Sequence, residues 1–282
     1  MTPIKWPIMN QEFREESVDG ERHHDSMNNQ VARRLDALTE EFYQRNAVSF
    51  DATRQSSWPG WSKCLEAAGL QGQNPERLKV LDVAAGNLRF ARFLNDAFPD
   101  TELIYTAVDS CEPLLANSKP ISHGRVNVQV IDLIEELLKG NEDLFSACGQ
   151  QDLAVCFGFL HHTPTEEARI HLLQSIVEAL KPGGIAAISF WRFMEVPSLA
   201  KKTQWTTQKA LQKLCLSESD LDQGDYLLGW GETSDSWRYC HNFNDAELKR
   251  YCEALTGSAE LVQHFRSDGG PGDLNSYLVL RA

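Results

Sequence analysis

The sequence lacks any apolar run near the roughly 20 residues that a membrane-spanning helix requires. Its first residues also lack the basic-then-apolar order of a secretory signal. Of the 282 residues, 42% are hydrophobic and 24% are charged, a composition that can bury one large core. We therefore expect one main domain in the cytoplasm, without a membrane partner.

Cysteine pairs with metal-site or redox-site spacing are absent. The seven cysteines are scattered, and no two of them form the CxxC pattern of zinc or dithiol sites. Their odd number also rules out complete pairing as disulfides. We expect free thiols in a reducing compartment, and the sequence predicts no metal site.

Basic residues are few. The chain has 27 Lys and Arg against 40 Asp and Glu, which gives a net charge of -13. The resulting negative electrostatic field repels nucleic acid at long range, which argues against a large nucleic-acid-binding surface. A small basic pocket is still compatible with this total, because phosphate contacts depend on where the few basic side chains gather.

The chain begins with a polar segment and continues as a long α/β region. Residues 1–30 carry too little apolar surface to fold alone, so we expect a mobile arm. Apolar residues recur at helical spacing from Val31 to Phe50, and Pro59 suits the first turn of a second helix.

After Pro75, short apolar runs alternate with helical segments, which is typical of repeated βαβ units. Later segments predict a helix, a polar loop, a second helix and two closing strands. The predicted fold is α/β, with a doubly wound, mostly parallel seven-stranded sheet and an antiparallel C-terminal strand pair. Five buried parallel strands are predicted, at residues 79–84, 103–108, 126–131, 152–157 and 185–191.

Acidic residues end the first three predicted strands: Asp82, Asp109 and Asp132. Ligands of an open parallel sheet bind beyond the carboxyl ends of its strands. There, Asp109 suits the two hydroxyls of a ribose, and Asp132 can approach an adenine amino group. Helix capping is the structural alternative for any one acid, but it is a weaker account of all three together.

The loop after the first strand is short of glycine. Only Gly86 fills one of the three positions at which a dinucleotide fingerprint requires glycine. A pyrophosphate needs close backbone approach, whereas a sulfonium amino acid does not. The loop therefore disfavours NAD more than it disfavours S-adenosylmethionine.

Residues 78–191 resemble the class I S-adenosylmethionine-dependent methyltransferases, which have a Rossmann-like fold. Besides the three acids, the resemblance lies in FGFLHH at 157–162 and LKPGG at 180–184. Ala84 and Leu88 stand where that family usually has glycine. The resemblance implies S-adenosylmethionine as cofactor. The contacts that it implies come from Tyr43, Asp82, Ala84, Gly86, Asp109, Ser110, Asp132, Leu133, Phe157 and Phe159.

Two histidines and two tryptophans are further candidates for roles in a functional site. Adjacent residues such as His161 and His162 rarely face one ion, and no third ligand is suitably spaced. We therefore expect one ring to pack and the other to form a hydrogen bond. Trp58 and Trp230 are candidates for stacking on a base, because their neighbours indicate loops.

Several segments outside the cofactor core form a second set of motifs. They are Phe42-Tyr43, FDATR at 50–54, WP at 58–59, Gly224-Asp225, Trp230, RYCHNF at 238–243 and NSYLVL at 275–280. These segments are similar to those of the tRNA wobble-uridine carboxymethyl methyltransferases. This resemblance implies a methyltransferase domain at residues 31–282, with residues 192–243 as the roof of an acceptor pocket. It also implies tRNA as a partner, and a small activator subunit like that of the family's eukaryotic members.

A carboxymethyl acceptor is ionised at neutral pH, since an ordinary carboxyl pKa is about 4, and it needs no general base. Arg238 and Arg54 are then the candidates to orient it, with His241 as a neutral donor. A hydroxyl or amine acceptor would instead require a base, His161 or His241. A small carboxylic acid or other metabolite is the alternative acceptor, and a non-catalytic cofactor-binding regulatory subunit is the alternative to an enzyme.

Overall fold

The computed structural model describes residues 27–116, 121–230 and 236–282. Most of the predicted arm, residues 1–26, lies outside these ranges. Met27 is buried, and its backbone N–H donates to Asp222 Oδ1 at 2.9 Å. Asn28 caps the first helix by accepting a hydrogen bond from the backbone of Gln30. Of the predicted arm, Met27 therefore contacts the rest of the chain, and residues 28–30 begin the first helix.

The described residues include eight α-helices, and none of these helices is long and apolar enough to cross a membrane. Pro59 occupies the first turn of the second helix, as predicted. Asp132, Thr165 and Asn244 cap later helices. The helices are α1 (Asn29–Ala52), α2 (Pro59–Ala67), α3 (Arg89–Ala97), α4 (Glu112–Ala116), α5 (Leu133–Leu138), α6 (Glu166–Glu178), α7 (Pro197–Leu214) and α8 (Asp245–Ala254).

Seven strands form the central sheet and two more form a small separate sheet. The strands are β1 (Arg77–Val83), β2 (Glu102–Asp109), β3 (Gly124–Val130), β4 (Gln151–Cys156), β5 (Leu180–Trp191), β6 (Asp225–Gly229), β7 (Trp237–His241), β8 (Glu260–Ser267) and β9 (Asn275–Arg281). The central order is β3-β2-β1-β4-β5-β9-β8. Strands β1 to β5 are parallel, and β9 is antiparallel to both of its neighbours. The predicted fold is confirmed, including the antiparallel C-terminal pair.

Both faces of the central strands are buried. Side chains alternate along β1, so that Val80 joins a core with α2 and α3, whereas Leu81 and Val83 join a core with α6 and α8. This two-sided burial accounts for the continuous apolar runs from which the strands were predicted.

The prediction of a buried third strand is wrong. β3 pairs with β2 on one side only and ends the sheet. Val128 and Val130 are 44% and 57% exposed. The apolar run therefore predicted the strand correctly but did not predict that it lies at the edge of the sheet.

Part of the predicted polar loop after α7 is a two-stranded antiparallel sheet, β6 paired with β7. Every residue of β7 is buried. Leu227 of β6 and Tyr239 of β7 pack in one cluster with Leu35 of α1 and Leu211 of α7. The small sheet therefore depends on helices that are distant in sequence.

Candidate functional site

A cavity of about 670 Å³ lies where β1, β2 and β4 end. Residues that follow these strands form one wall, and α1 together with the segment before α2 forms another. Except for His241, every residue that the sequence predicted for the site lines this cavity. The roles of these residues remain predictions, but the strand-end argument brought them to one place.

The loop after β1 has left-handed residues at two positions that carry no glycine. Ala84 and Leu88 have φ values of 60° and 58°, and Gly86 between them has 55°. A residue with a Cβ atom loses about 1 to 2 kcal/mol in this conformation. Hydrogen bonds from the Ala85 N–H to the Val108 carbonyl oxygen (3.0 Å) and from the Gly86 N–H to Asp109 Oδ2 (2.7 Å) hold the loop.

Asp109 joins two loops at the end of β2. Its two carboxylate oxygens accept one backbone N–H each, from Gly86 and from Cys111, both at 2.7 Å. Burial raises the pKa of Asp109, and these backbone donors oppose the rise. Each oxygen keeps further acceptor capacity, so the side chain can also bind hydroxyl groups.

Asp82 is buried beneath the loop and accepts a hydrogen bond from the Tyr105 hydroxyl. Burial raises the pKa of Asp82 to about 7, against the lowering effect of that bond. Asp132 caps α5 through the Glu135 N–H at 3.0 Å while it also lines the cavity. The capping alternative is therefore correct for Asp132, but capping does not remove it from the site.

Sequence reasoning missed the acidic face of α1. Asp36, Thr39 and Glu40 line the cavity together with Tyr43, at helical spacing. Burial, followed by the charge of Asp132, raises the pKa of Asp36 to about 8. These polar positions on the helix were the available signal, but only the apolar ones were used to predict α1.

His162 is hydrogen-bonded and His161 packs, as expected. His162 Nδ1 lies 2.7 Å from the Tyr239 carbonyl oxygen, which only accepts, so Nε2 accepts from the Tyr43 hydroxyl at 2.8 Å. Burial and the charge of Arg238 lower the pKa of His162 to about 3. The ring centroid of His161 lies 5.0 Å from that of Trp191.

The structure also brings a third residue with a metal-ligand atom, Cys240, to the histidine pair. Ligand atoms of His161, His162 and Cys240 lie within 4.8 Å of one another, all buried. No local sequence pattern predicts this approach, because Cys240 lies far from the histidine pair along the chain. Both nitrogens of His162 are already used in hydrogen bonds, so an ion could bind only by breaking one of them.

Two guanidinium groups share an aromatic enclosure. The Arg238 Cζ atom lies 4.7 Å from the Phe42 ring centroid and 5.6 Å from that of Trp230. The Arg54 Cζ atom lies 3.6 Å from the Phe50 centroid and 5.7 Å from that of Trp230. Burial and then the neighbouring Arg238 charge lower the pKa of Arg54 to about 10.

Arg238 is 5% exposed, and its Nε and Nη1 atoms find no hydrogen-bond partner among the described residues. A buried charge is normally compensated, because water no longer solvates it. The aromatic faces offset this only in part. An anion that entered the cavity could therefore bind here.

His241, which was predicted to serve the acceptor, does not line the cavity. His241 is fully buried, with Nδ1 2.6 Å from Asp225 Oδ1 and Nε2 2.7 Å from Glu247 Oε1. Successive side chains of a strand point to opposite faces, and in β7 residues 238 and 241 differ in parity. Because the segment was interpreted as a loop, this alternation was not applied to it.

The family described as "Methyltransferase domain" matches residues 81–186. The chain is 27% identical over 168 residues to the Arabidopsis thaliana tRNA (carboxymethyluridine(34)-5-O)-methyltransferase, a match that covers 60% of this chain and 36% of that protein. It is 24% identical over 184 residues to the Mus musculus protein of the same name, ALKBH8, covering 64% of this chain and 23% of that protein. The chain thus spans well under half the length of these curated relatives.

Solved structures share the fold at low identity. The DhpI–SAM–HEP complex has a TM-score of 0.54 at 20% identity and covers 88% of this chain and 98% of that one. The 1,6-didemethyltoxoflavin-N1-methyltransferase of Burkholderia thailandensis, also at 0.54, is 18% identical and covers 89% of both chains. A SAM-dependent methyltransferase of Methanosarcina mazei has a TM-score of 0.52 at 16% identity, covering 73% of this chain and 93% of its own.

Replacement of Ala84 by glycine should relieve backbone strain. Since Ala84 has a left-handed φ and Ala85 does not, we expect Ala84→Gly to raise the unfolding free energy by about 1 kcal/mol. Ala85→Gly is the control and should lower it by about the same amount, since it adds freedom to the unfolded chain and removes a partly buried methyl group. Urea denaturation of both variants measures the difference, and equal destabilisation would show that the loop is unstrained.

Two buried arginines should respond in opposite ways to replacement by methionine. Arg169 is fully engaged, through the Tyr251 hydroxyl (3.0 Å), the Thr163 carbonyl (3.1 Å) and the Tyr239 hydroxyl (3.4 Å). Arg169→Met should cost about 3 to 5 kcal/mol of folding stability, whereas Arg238→Met should add about 1 kcal/mol. Denaturation without ligand compares the two, and a large loss for Arg238→Met would contradict its lack of compensation.

Proposed function

We propose a specific methyl acceptor for this chain, on the premise that it is an S-adenosylmethionine-dependent methyltransferase. That premise comes from the methyltransferase domain at residues 81–186 and from a central sheet shared with solved enzymes of this class. The chain transfers the methyl group of S-adenosylmethionine to the carboxylate of a carboxymethyl-modified wobble uridine in tRNA. The acceptor is suggested by the names of the two curated relatives.

The chemistry of the cavity walls fits the cofactor. Asp109 has acceptor capacity left for the ribose hydroxyls, and Asp132 is available to the adenine amino group. Asp82, Ala84 and Gly86 would border the methionine part, with Phe157 and Phe159 beneath the sulfonium. Ser110, Leu133 and Tyr43 complete the proposed contacts. The bound cofactor supplies an electrophilic methyl carbon.

The observation that carries the acceptor proposal is the buried guanidinium of Arg238, whose Nε and Nη1 lack a hydrogen-bond partner among the described residues. A carboxylate is ionised at neutral pH, so the protein need not remove a proton from it. Arg238 would bind and orient the carboxylate, and Arg54 would add a second positive charge near it. His161, buried with a pKa well below its usual value, is unsuited to carry a charge there.

The aromatic enclosure supports the same proposal. Phe42, Phe50 and Trp230 surround the two guanidinium groups and keep water away from the carboxylate. Exclusion of water strengthens the ionic contact and leaves the nucleophilic oxygen poorly hydrated. Trp230 also offers a face on which a uracil ring could stack.

A small carboxylic acid is the second candidate acceptor. The same two arginines would bind it, and the net charge of -13 disfavours a polyanion over a small ligand. The activator subunit implied by the sequence resemblance is mentioned in neither relative's name, and it stays a prediction.

Asp109→Ala tests the cofactor site. Loss of two hydroxyl hydrogen bonds, at about 2 to 3 kcal/mol in total, should weaken S-adenosylmethionine binding roughly 30- to 150-fold in isothermal titration. Asp100→Ala, at an exposed turn before β2, is the control and should bind normally. Circular dichroism separates lost affinity from lost fold, and unchanged affinity in folded Asp109→Ala would refute the assignment.

Arg238→Ala tests the acceptor. Removal of a charge-assisted contact in a water-poor site should lower kcat/KM by about two to three and a half orders of magnitude, equivalent to about 3 to 5 kcal/mol. Cofactor affinity should stay within about twofold, because Arg238 has no proposed contact to the cofactor. Arg238→Lys should recover only part of the activity, since a point charge cannot replace a two-pronged contact.

The substrate for this test is tRNA that carries carboxymethyluridine, compared with the same tRNA carrying plain uridine. Wild-type protein should methylate only the first. Arg125→Ala, on the exposed face of β3, is the matched control and should keep full activity. Equal methylation of both tRNAs, or full activity of Arg238→Ala, would mean that the carboxylate mechanism is wrong.

A further inference from the structure

The outer side of α7 is basic in an otherwise acidic chain. The helix carries four lysines and no Asp or Glu, whereas the whole chain has a net charge of -13. Its inner side, which includes Thr207 and Leu211, is buried against β6 and its neighbours. We name the outer side the α7 face and define it by Lys201, Lys202, Trp205, Lys209 and Lys213.

The side chains of the α7 face form one row. Positions 202, 205, 209 and 213 follow one another at intervals of three or four residues, so they lie on one side of the helix. The row from Lys202 to Lys213 extends over about 16 Å, and Lys201 lies beside its first member. No residue of the described ranges forms an ion pair with any of the four lysines.

Trp205 lies within this row and is 63% exposed. Its ring centroid is 5.5 Å from Lys209 Nζ, a contact that favours one ring position. A large aromatic ring at the surface is unfavourable in water unless a partner covers it. A flat ring flanked by unpaired cations suits a ligand that offers both a π face and negative charges, as the bases and phosphates of RNA do.

The inner side of α7 packs on β6, and β6 leads to the cavity, so the α7 face lies about one helix diameter further out. The Leu227 N–H of β6 donates to Thr207 Oγ1 of α7 at 3.0 Å. Trp230, which lines the cavity, lies three residues further along the chain, about 10 Å in an extended strand. An RNA strand with one nucleotide in the cavity could therefore extend over α7.

We propose that the α7 face binds the RNA backbone next to the nucleotide held in the cavity. The four lysines contact phosphates, and Trp205 stacks on an unpaired base. The proposal rests on the proposed function only in that the cavity accepts a nucleotide of the same RNA.

Binding of an unmodified RNA hairpin with a single-stranded loop, followed by fluorescence anisotropy, tests this surface. The fourfold variant Lys201→Ala, Lys202→Ala, Lys209→Ala and Lys213→Ala should bind at least tenfold more weakly at low salt. Its plot of log affinity against log salt should be less steep by about 3, because fewer counterions are released. The matched control replaces four exposed lysines elsewhere, Lys63, Lys79, Lys139 and Lys249, by alanine and should bind like wild type.

Trp205→Ala separates stacking from charge. It should weaken hairpin binding about tenfold without change in the salt dependence, and Trp205→Phe should restore most of the affinity. Equal losses in the α7 and control lysine variants, or no loss in either, would overturn the proposal. Competition by poly-L-glutamate as effective as by the hairpin would also overturn it, in favour of an acidic protein partner.

Failure of the proposed function would look different. If wild-type protein methylated no carboxymethyluridine, in tRNA or as the free nucleoside, the acceptor assignment would fall, while α7-dependent hairpin binding would still support the surface. If the α7 variant methylated the free nucleoside like wild type but tRNA poorly, both proposals would be supported.

Discussion

Arg238 brings a positive charge into the interior without the hydrogen bonds from Nε and Nη1 that Arg169 forms. Arg169 is surrounded by hydroxyl and carbonyl oxygens, whereas Arg238 is surrounded by ring faces. Such a group is tolerated only where the surrounding elements are held firmly. Here β7 carries it, and the buried His241 between Asp225 and Glu247 fastens the far end of that strand. The histidine expected to act on the substrate thus supports the arginine's strand.

Most of the sheet and much of the cavity wall followed from local sequence signals. Apolar runs identified the strands, and the rule that parallel strands end at one edge brought Asp82, Asp109 and Asp132 together. The small sheet could not be predicted in this way, because its burial comes from α1 and α7, which lie far apart in the chain. The position of His241 outside the cavity and the unexpected approach of Cys240 to His162 have the same origin, since both depend on the faces of β7.

The first loop illustrates a different limit. Ala84 and Leu88 stand where the resembling family usually has glycine, yet both adopt the left-handed conformation that glycine favours. Hydrogen bonds from the loop to the end of β2 supply the constraint, and no local propensity reveals them. The loop can therefore keep this backbone conformation without glycine, provided that the neighbouring strand holds its backbone in place.

The uncovered edge of β3 has a practical consequence. No described residue pairs with its outer side, and Val128 and Val130, two residues apart, present a small apolar strip on one face. Free backbone donors and acceptors beside exposed valines form a template for another strand. In concentrated preparations, copies of this chain would associate first along this edge. Aggregation would then limit the usable protein concentration well before unfolding did.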